Sequence, residues 1–314
     1  MFDIVTVGHF SIDYIRPPGR RVSKPALGGP PTYVSLAAGK LGAKVSVVSK
    51  VGEDFSPSFT EWLKKQGVDL SGLKKVAGAS TTSYALNYST AGERQLVLRS
   101  RGPPIEPEDM EGLAKAKAIH VAPIANEIGP ETVARLRTLT SLLSMDPQGF
   151  LRRFKEDGTM YLEGIRDPEI VRGVDVFKAS QREIEAVTGE SSLENAVKKV
   201  HQLGAKIVVM TKGPEGSLVY VKNRLYRVPA SKPKAVVDTT GSGDVFIGAF
   251  LAEYVKGKDP LWCASVGSAM ASFVVEKIGP RGFGSRKGVY ERAAQVHERI
   301  SVVSQNTRNV FKPT

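Results

Sequence analysis

The sequence predicts an α/β protein: a three-layer, doubly wound, mostly parallel sheet with helices on both faces and a small β lid. Three observations carry this expectation. Short apolar runs alternate with amphipathic helical patterns over most of the 314 residues. The runs are dense in Val, Ile, Leu and Ala without polar alternation, as in strands covered on both faces. Two early segments break the rhythm in the way an edge appendage would.

In chain order, residues 4–8 within MFDIVTVGHF form the first strand. The acidic third residue and the lack of a basic leader argue against a signal peptide there. Residues 14–26 are basic and Pro-rich and leave the alternation; helix 31–41, strand 45–50 and helix 59–66 resume it. Residues 81–100, TTSYALNYSTAGERQLVLRS, read as two period-2 strands around a turn at Thr90-Ala91-Gly92. A hairpin inserted this early must project from the sheet edge, so segments 13–28 and 81–100 make the expected lid. Strands 118–122, 142–146, 174–179 and 206–211 then alternate with helices 130–140, 181–188 and 193–203. A second hairpin, 216–228, finishes the sheet, and after Asp244 the chain is helical at 245–256, 261–277 and 289–303. Without an internal repeat or a linker, residues 1–314 read as one domain.

Composition narrows the function. Apolar content of 41% and charged content of 24% are those of an ordinary globular protein. No apolar run reaches the roughly 18 residues of a membrane span. The single Cys263 excludes an intrachain disulfide and, with four His, offers no metal cluster, so a reducing cytoplasm is the expected compartment. The net charge of +12 is spread along the chain, with local enrichment only at 286–313. That pattern suits a binder of small phosphorylated anions better than a nucleic-acid protein.

The most informative segment is 236–250, VVDTTGSGDVFIGAF. Gly241-Ser242-Gly243 precedes a strongly apolar helix, whose first amides and partial positive charge make an anion site. Asp244, in the first turn, is placed to take a proton from an attacking hydroxyl while those amides hold phosphoryl charge. The plainer reading is a tight turn followed by an acid that compensates the helix dipole. No Lys-Ser/Thr pair follows the glycines, and Phe246 breaks the dinucleotide-binding pattern.

Asp238-Thr239-Thr240-Gly241-Ser242-Gly243-Asp244, with Phe246 and Gly248, resembles the C-terminal signature of the ribokinase-like (PfkB) kinases. Gly28-Gly29 before the small-residue helix resembles the family's N-terminal glycine pair. Thr211-Lys212-Gly213-x-x-Gly216 is similar to its nucleotide-side motif, and Val7-Gly8 with Asp13 to its first strand and sugar-binding acid. The resemblance spans nearly the whole chain and implies an ATP-dependent phosphotransferase on a ribokinase-like fold. It implies that Asp244 deprotonates the acceptor hydroxyl, that the amides of Gly241, Ser242 and Gly243 form the anion hole, and that Asp13 binds acceptor hydroxyls beside Gly28 and Gly29. ATP with Mg²⁺ would lie along Thr211, Lys212, Gly213, Gly216 and a helix carrying Ser268 and Ala271.

Two positions depart from the family pattern. Where it commonly has Asn-x-x-Glu, this chain has Ser180-Gln181-Arg182-Glu183. Glu183 would organise Mg²⁺ through water, whereas Ser180 is either a nucleotide contact or only a helix N-cap. Ser242 replaces the usual Ala, which leaves the backbone amides in place. In several relatives the positions of Asp238 and Thr240 hold a monovalent cation, here K⁺; the alternative is a plain turn.

For the acceptor, the hairpin, the run His120-Val121-Ala122-Pro123-Ile124, and residues 145–152 resemble archaeal myo-inositol kinase-like members. Gln148 and Arg152 would then read several hydroxyls of a sugar or cyclitol, unless they sit on an exposed loop. A nucleoside acceptor, for which few aromatics stand ready besides Phe10, Tyr14 and Tyr84, is the alternative; a non-catalytic binding module is another. The expected partners are a polyol and ATP, with no nucleic acid and no membrane, and the lid is a place for two copies to pair.

Overall fold

A computed structural model describes residues 1–16, 25–88, 94–113 and 115–303; the turn expected at 90–92 and the basic stretch 17–24 lie outside the described residues. Strand β1 (Phe2–Val7) leads through β2 (Ser11–Arg16) and β3 (Ala26–Gly28) to helix α1 (Pro30–Lys40). Strand β4 (Val45–Val51), helix α2 (Pro57–Lys65), and strands β5 (Val68–Lys75), β6 (Ser83–Tyr88) and β7 (Arg94–Ser100) follow. Next come β8 (Ala116–Val121), α3 (Pro130–Arg137), β9 (Leu143–Met145), the short α4 (Gln148–Leu151), and the ribbon β10 (Arg152–Phe154) and β11 (Met160–Leu162). The second half runs β12 (Val176–Ser180), α5 (Gln181–Thr188), α6 (Leu193–Gln202), β13 (Ile207–Thr211), β14 (Ser217–Val221) and β15 (Arg224–Val228). Helices α7 (Ser242–Tyr254), α8 (Pro260–Val274) and α9 (Arg286–His297) precede β16 (Ser301–Val302).

Ten strands form the main sheet, in the order β16-β15-β14-β13-β12-β9-β8-β1-β4-β5. Every pairing from β5 to β13 is parallel; β14, β15 and β16 add antiparallel strands at one edge. One sheet face packs under α1, α2, α7, α8 and α9, the other under α3, α5 and α6, giving the three-layer ribokinase-like fold. Helix α7 is apolar almost all round because it is sandwiched: every residue from Val245 to Glu253 is buried. Gly248 permits this, since a Cβ there would lie 2.5 Å from the Val34 carbonyl oxygen of α1. Among the described residues no helix is long and apolar enough to cross a membrane.

The expected hairpin is β6–β7, but it is half of a larger element. Strand β6 pairs in parallel with β2, and the order β3-β2-β6-β7 makes a separate four-stranded sheet. Thus part of the segment read only as basic and Pro-rich is sheet. Strand β5 was not anticipated: its mixed burial is that of an edge strand, without the continuous apolar run that marked its neighbours. The last helix ends at His297 rather than continuing to 303, because Ser301 and Val302 pair with the free edge of β15 and the Val303 amide donates to the Leu225 carbonyl at 2.8 Å.

Candidate active site

The parallel strands end at one edge of the sheet, where a cleft of about 870 Å³ opens beneath the four-stranded sheet. Helix α7 points its N-terminus into it. Gly241, in the left-handed region (φ 72), turns the chain into the helix. The Ser242 amide donates back to the Thr239 carbonyl at 3.3 Å. The amides of Gly241, Gly243 and Asp244 have no acceptor among the described residues.

Asp244 occupies the third helical position and reaches the cleft. Its own surface is only half-buried, yet the cleft walls enclose the carboxyl, and this desolvation pushes its pKa up to about 7. Lys178 and Arg152 oppose the shift; Asp146 and Glu183 add to it. Gln148 donates to Asp244 Oδ1 at 3.5 Å and accepts a hydrogen bond from Arg152, whose other nitrogen donates to the Ile124 carbonyl at 3.2 Å. Gln148 and Arg152 are buried in the wall, not on an exposed loop. Across the cleft Asp13 is 6% exposed and accepts from the Ser11 hydroxyl at 2.8 Å. Between these groups and the four-stranded sheet lies an apolar wall of Tyr84, Leu86, Leu96 and Ile124.

At the other end Ser180 caps α5. Its amide and hydroxyl both donate to Glu183 Oε2, at 2.7 and 2.6 Å, and the Glu183 amide closes the capping box at 3.4 Å. Both residues line the cleft, as do Thr211, Gly213, Gly216, Ser268 and Ala271. Pro214, Pro233, Val236, Ala271 and Val275 add apolar surface to the lining of the cleft. Glu183 is a single carboxylate on the cleft wall, a donor chemistry that fits Mg²⁺, an ion that keeps most of its waters. Among the described residues no three His, Cys, Asp or Glu side chains cluster to hold a metal by themselves.

Three expected residues are not on the cleft surface. Gly28 lies behind Asp13, and a Cβ there would meet the Asp13 carboxylate at 2.0 Å, so it makes room for the acid. Gly29 does line the cleft at φ 83, its back against the His9 carbonyl. Lys212 turns aside to pair with Glu215 at 2.6 Å. Asp238 accepts from the amides of Thr240 and Gly279, at 2.9 and 3.0 Å, which ties the loop before α7 to the chain after α8. Thr240 lines the cleft.

Lys178 is among the cleft residues that the sequence reading did not single out. Lys178 of β12 lies with its ammonium 2.6 Å from Asp146 Oδ2, and both side chains are buried. Burial would lower the Lys178 pKa, but the carboxylates of Asp146, Glu183 and Asp244 outweigh it and hold the ammonium above the ordinary lysine value. A lysine inside an apolar strand run was the available signal.

This geometry has close counterparts. A cytidine kinase of Thermococcus kodakarensis is 34% identical over 289 residues, covering 89% of this chain and 98% of that protein. A nucleoside kinase of Methanothermobacter thermautotrophicus is 27% identical over 292 residues, covering 88% and 90%. Among solved structures, a pyrophosphate-dependent kinase of the ribokinase family, complexed with a pyrophosphate analogue and myo-inositol, superposes with a TM-score of 0.79 at 25% identity, covering 92% of this chain and 99% of that one. Residues 1–285 match the description of a pfkB family carbohydrate kinase. By the match over residues 1–285 and the 34% identical relative, the chain belongs to the pfkB family, as a phosphotransferase acting on a hydroxyl.

Proposed function

We propose that this protein transfers the γ-phosphoryl group of ATP to a hydroxyl of a nucleoside, with Asp244 as general base. The observation that carries the reading is Asp244 itself, set between amides without acceptors and the chamber walled by Asp13, Gln148 and Leu86. The acceptor hydroxyl gives its proton to Asp244 as its oxygen forms a bond to the γ-phosphorus. The bond from that phosphorus to the β-phosphate oxygen breaks, and ADP leaves. The amides of Gly241, Gly243 and Asp244 receive the transferring oxygens, preorganised by the helix. Glu183 would hold Mg²⁺, which would supply positive charge against the phosphates. Asp238 keeps the loop in shape through two amides.

The apolar surface at Pro214, Pro233, Val236, Ala271 and Val275 suits a nucleobase plane, which supports ATP over pyrophosphate as donor. On the acceptor side Ser11 and Asp13 offer partners for ribose hydroxyls, while Leu86 and Leu96 offer only apolar contact. A flat base tolerates that wall. A cyclitol, with hydroxyls on every carbon, would leave some unpaired there, at about 1–3 kcal/mol each. The two nucleoside-kinase relatives point the same way. The sugar or cyclitol reading rests on the Gln148–Arg152 pair and on the myo-inositol-bound neighbour.

The test measures product formation from Mg-ATP or pyrophosphate with cytidine, adenosine, ribose, fructose and myo-inositol. Turnover of a nucleoside with ATP is expected. Preference for myo-inositol or ribose would replace the nucleoside reading, and preference for pyrophosphate would replace the donor assignment.

A further inference from the structure

Lys178 has no place in the functional reading so far, yet its surroundings are unusual. It projects from β12 on the face that packs against α7, in the same row as Val209 of β13. An ammonium carries three hydrogens. Among the described residues one of them is used, on Asp146, so two hydrogens have no acceptor while the group lines the cleft. Its head lies against Gly243: a Cβ at that position would be 2.7 Å from Nζ. The missing side chain of Gly243 is thus the opening through which a buried cation reaches the mouth of the α7 amides.

Asp146 fixes that cation. It follows β9 and is 1% exposed; its Oδ2 accepts from Lys178 at 2.6 Å and its Oδ1 from the Gln148 amide at 3.2 Å. One carboxylate therefore sets both the ammonium beside the anion hole and the start of α4, which carries Gln148 and Arg152. A buried ion pair is poor evidence for stability, since its desolvation offsets most of its attraction. Unused donors aimed at an anion site are evidence of a ligand.

We propose that Lys178 is a catalytic residue, its ammonium contacting the transferring phosphoryl group across Gly243, and that Asp146 is its positioning residue. This rests on the phosphoryl-transfer reading above. Lys178 keeps its proton throughout: the acceptor proton goes to Asp244 and the electron pair of the broken P–O bond leaves with ADP. The cation balances charge that grows on the phosphoryl oxygens, and it favours the ionised form of Asp244.

The experiment compares wild-type protein with K178M, the charge-balanced pair K178M/D146N, G243A and D244N, using Mg-ATP and the best acceptor, over a pH series and with thermal unfolding alongside. K178M alone strands a buried carboxylate and is expected to unfold earlier. In K178M/D146N the charges are removed together, so the melting temperature recovers. The loss of kcat, about 10²–10³-fold, does not recover, and the acceptor KM stays within about threefold. G243A displaces the ammonium without changing any charge and is expected to lose kcat similarly. In K178M the acid limb of the kcat/KM profile moves to higher pH. If K178M/D146N or G243A, once folded, turns over within about threefold of wild type, Lys178 is structural and the proposal fails. If D244N retains full activity, the underlying base assignment fails instead, whatever Lys178 does.

Discussion

The enclosed carboxyl of Asp244 makes a quantitative prediction about pH. In its proposed role as general base Asp244 works only when ionised, and the cleft, chiefly by stripping it of water, pushes its pKa up to about 7. An ordinary aspartate, at about 3.9, would leave kcat/KM flat throughout the range in which the fold survives. Here kcat/KM, which reports the free enzyme, should fall below about pH 7, reaching roughly a tenth of its plateau one unit lower and a hundredth two units lower. The charges around the site supply a control. Glu183 raises the Asp244 pKa, so Glu183→Gln should move the acid limb to lower pH, opposite to the change expected on removing Lys178. The assay is initial-rate ADP release across pH 5 to 9, with coupling enzymes shown not to limit the rate. A profile that stays flat to pH 5, or limbs that move the same way in the two variants, would refute the reasoning.

Other expectations follow from named contacts. Because the folded state holds the Asp244 pKa above its unfolded value, the fold binds a proton that the unfolded chain releases between about pH 4 and 7. This carboxylate therefore costs stability once pH exceeds its unfolded pKa. Asp244→Asn should raise the melting temperature at pH 8, and the gain should vanish below pH 4, as read by calorimetry. Gly248→Val drives a side chain into the Val34 backbone and should destabilise by about 1–3 kcal/mol or more, seen as a lower midpoint in urea. Leu86→Asn puts a hydrogen-bonding group in the apolar acceptor wall. It should raise the KM for a nucleoside about tenfold while improving kcat/KM for myo-inositol, and a fall in both would count against the wall's role in selectivity.

What the sequence disclosed and what it hid have physical reasons. The parallel strands were legible because both faces are covered, so their residues are apolar without alternation, as in β13. The α7 motif was legible because its parts are adjacent in the chain: a glycine-rich turn, an acid in the first turn and an apolar helix. Strand β5 was missed because an edge strand is half exposed and its pattern fades. Gly28, Lys212 and Asp238 show the limit of a motif: it marks positions along the chain but cannot separate a residue that faces the cleft from one that supports it from behind. Lys178 was hidden by its company in VFKAS, although a lysine inside a doubly covered strand is rarely buried without a partner. Its partner Asp146 lies 32 residues earlier, and only the adjacency of β9 and β12 joins them.

That adjacency also explains why the charges gather where they do. In a parallel sheet all strands end on the same side, so Asp146 beyond β9, Lys178 and Ser180 on β12 and Thr211 on β13 reach one rim, with Ser180 and Thr211 in register. One step below the rim another polar row crosses the sheet, with Thr6, His120 and Ser144 side by side on β1, β8 and β9. His120 bonds Ser144 at 3.0 Å and is otherwise enclosed; burial first, and then the nearby Lys178, push its pKa down to about 3. It is therefore neutral wherever Asp244 titrates. Among the described residues Lys178 and Arg152 are cations of the cleft wall, and both are tied to the loop after β9, one through Asp146 and the other through Gln148. A site arranged this way holds Asp244 at a pKa of about 7, so the proposed general base changes its charge near neutral pH.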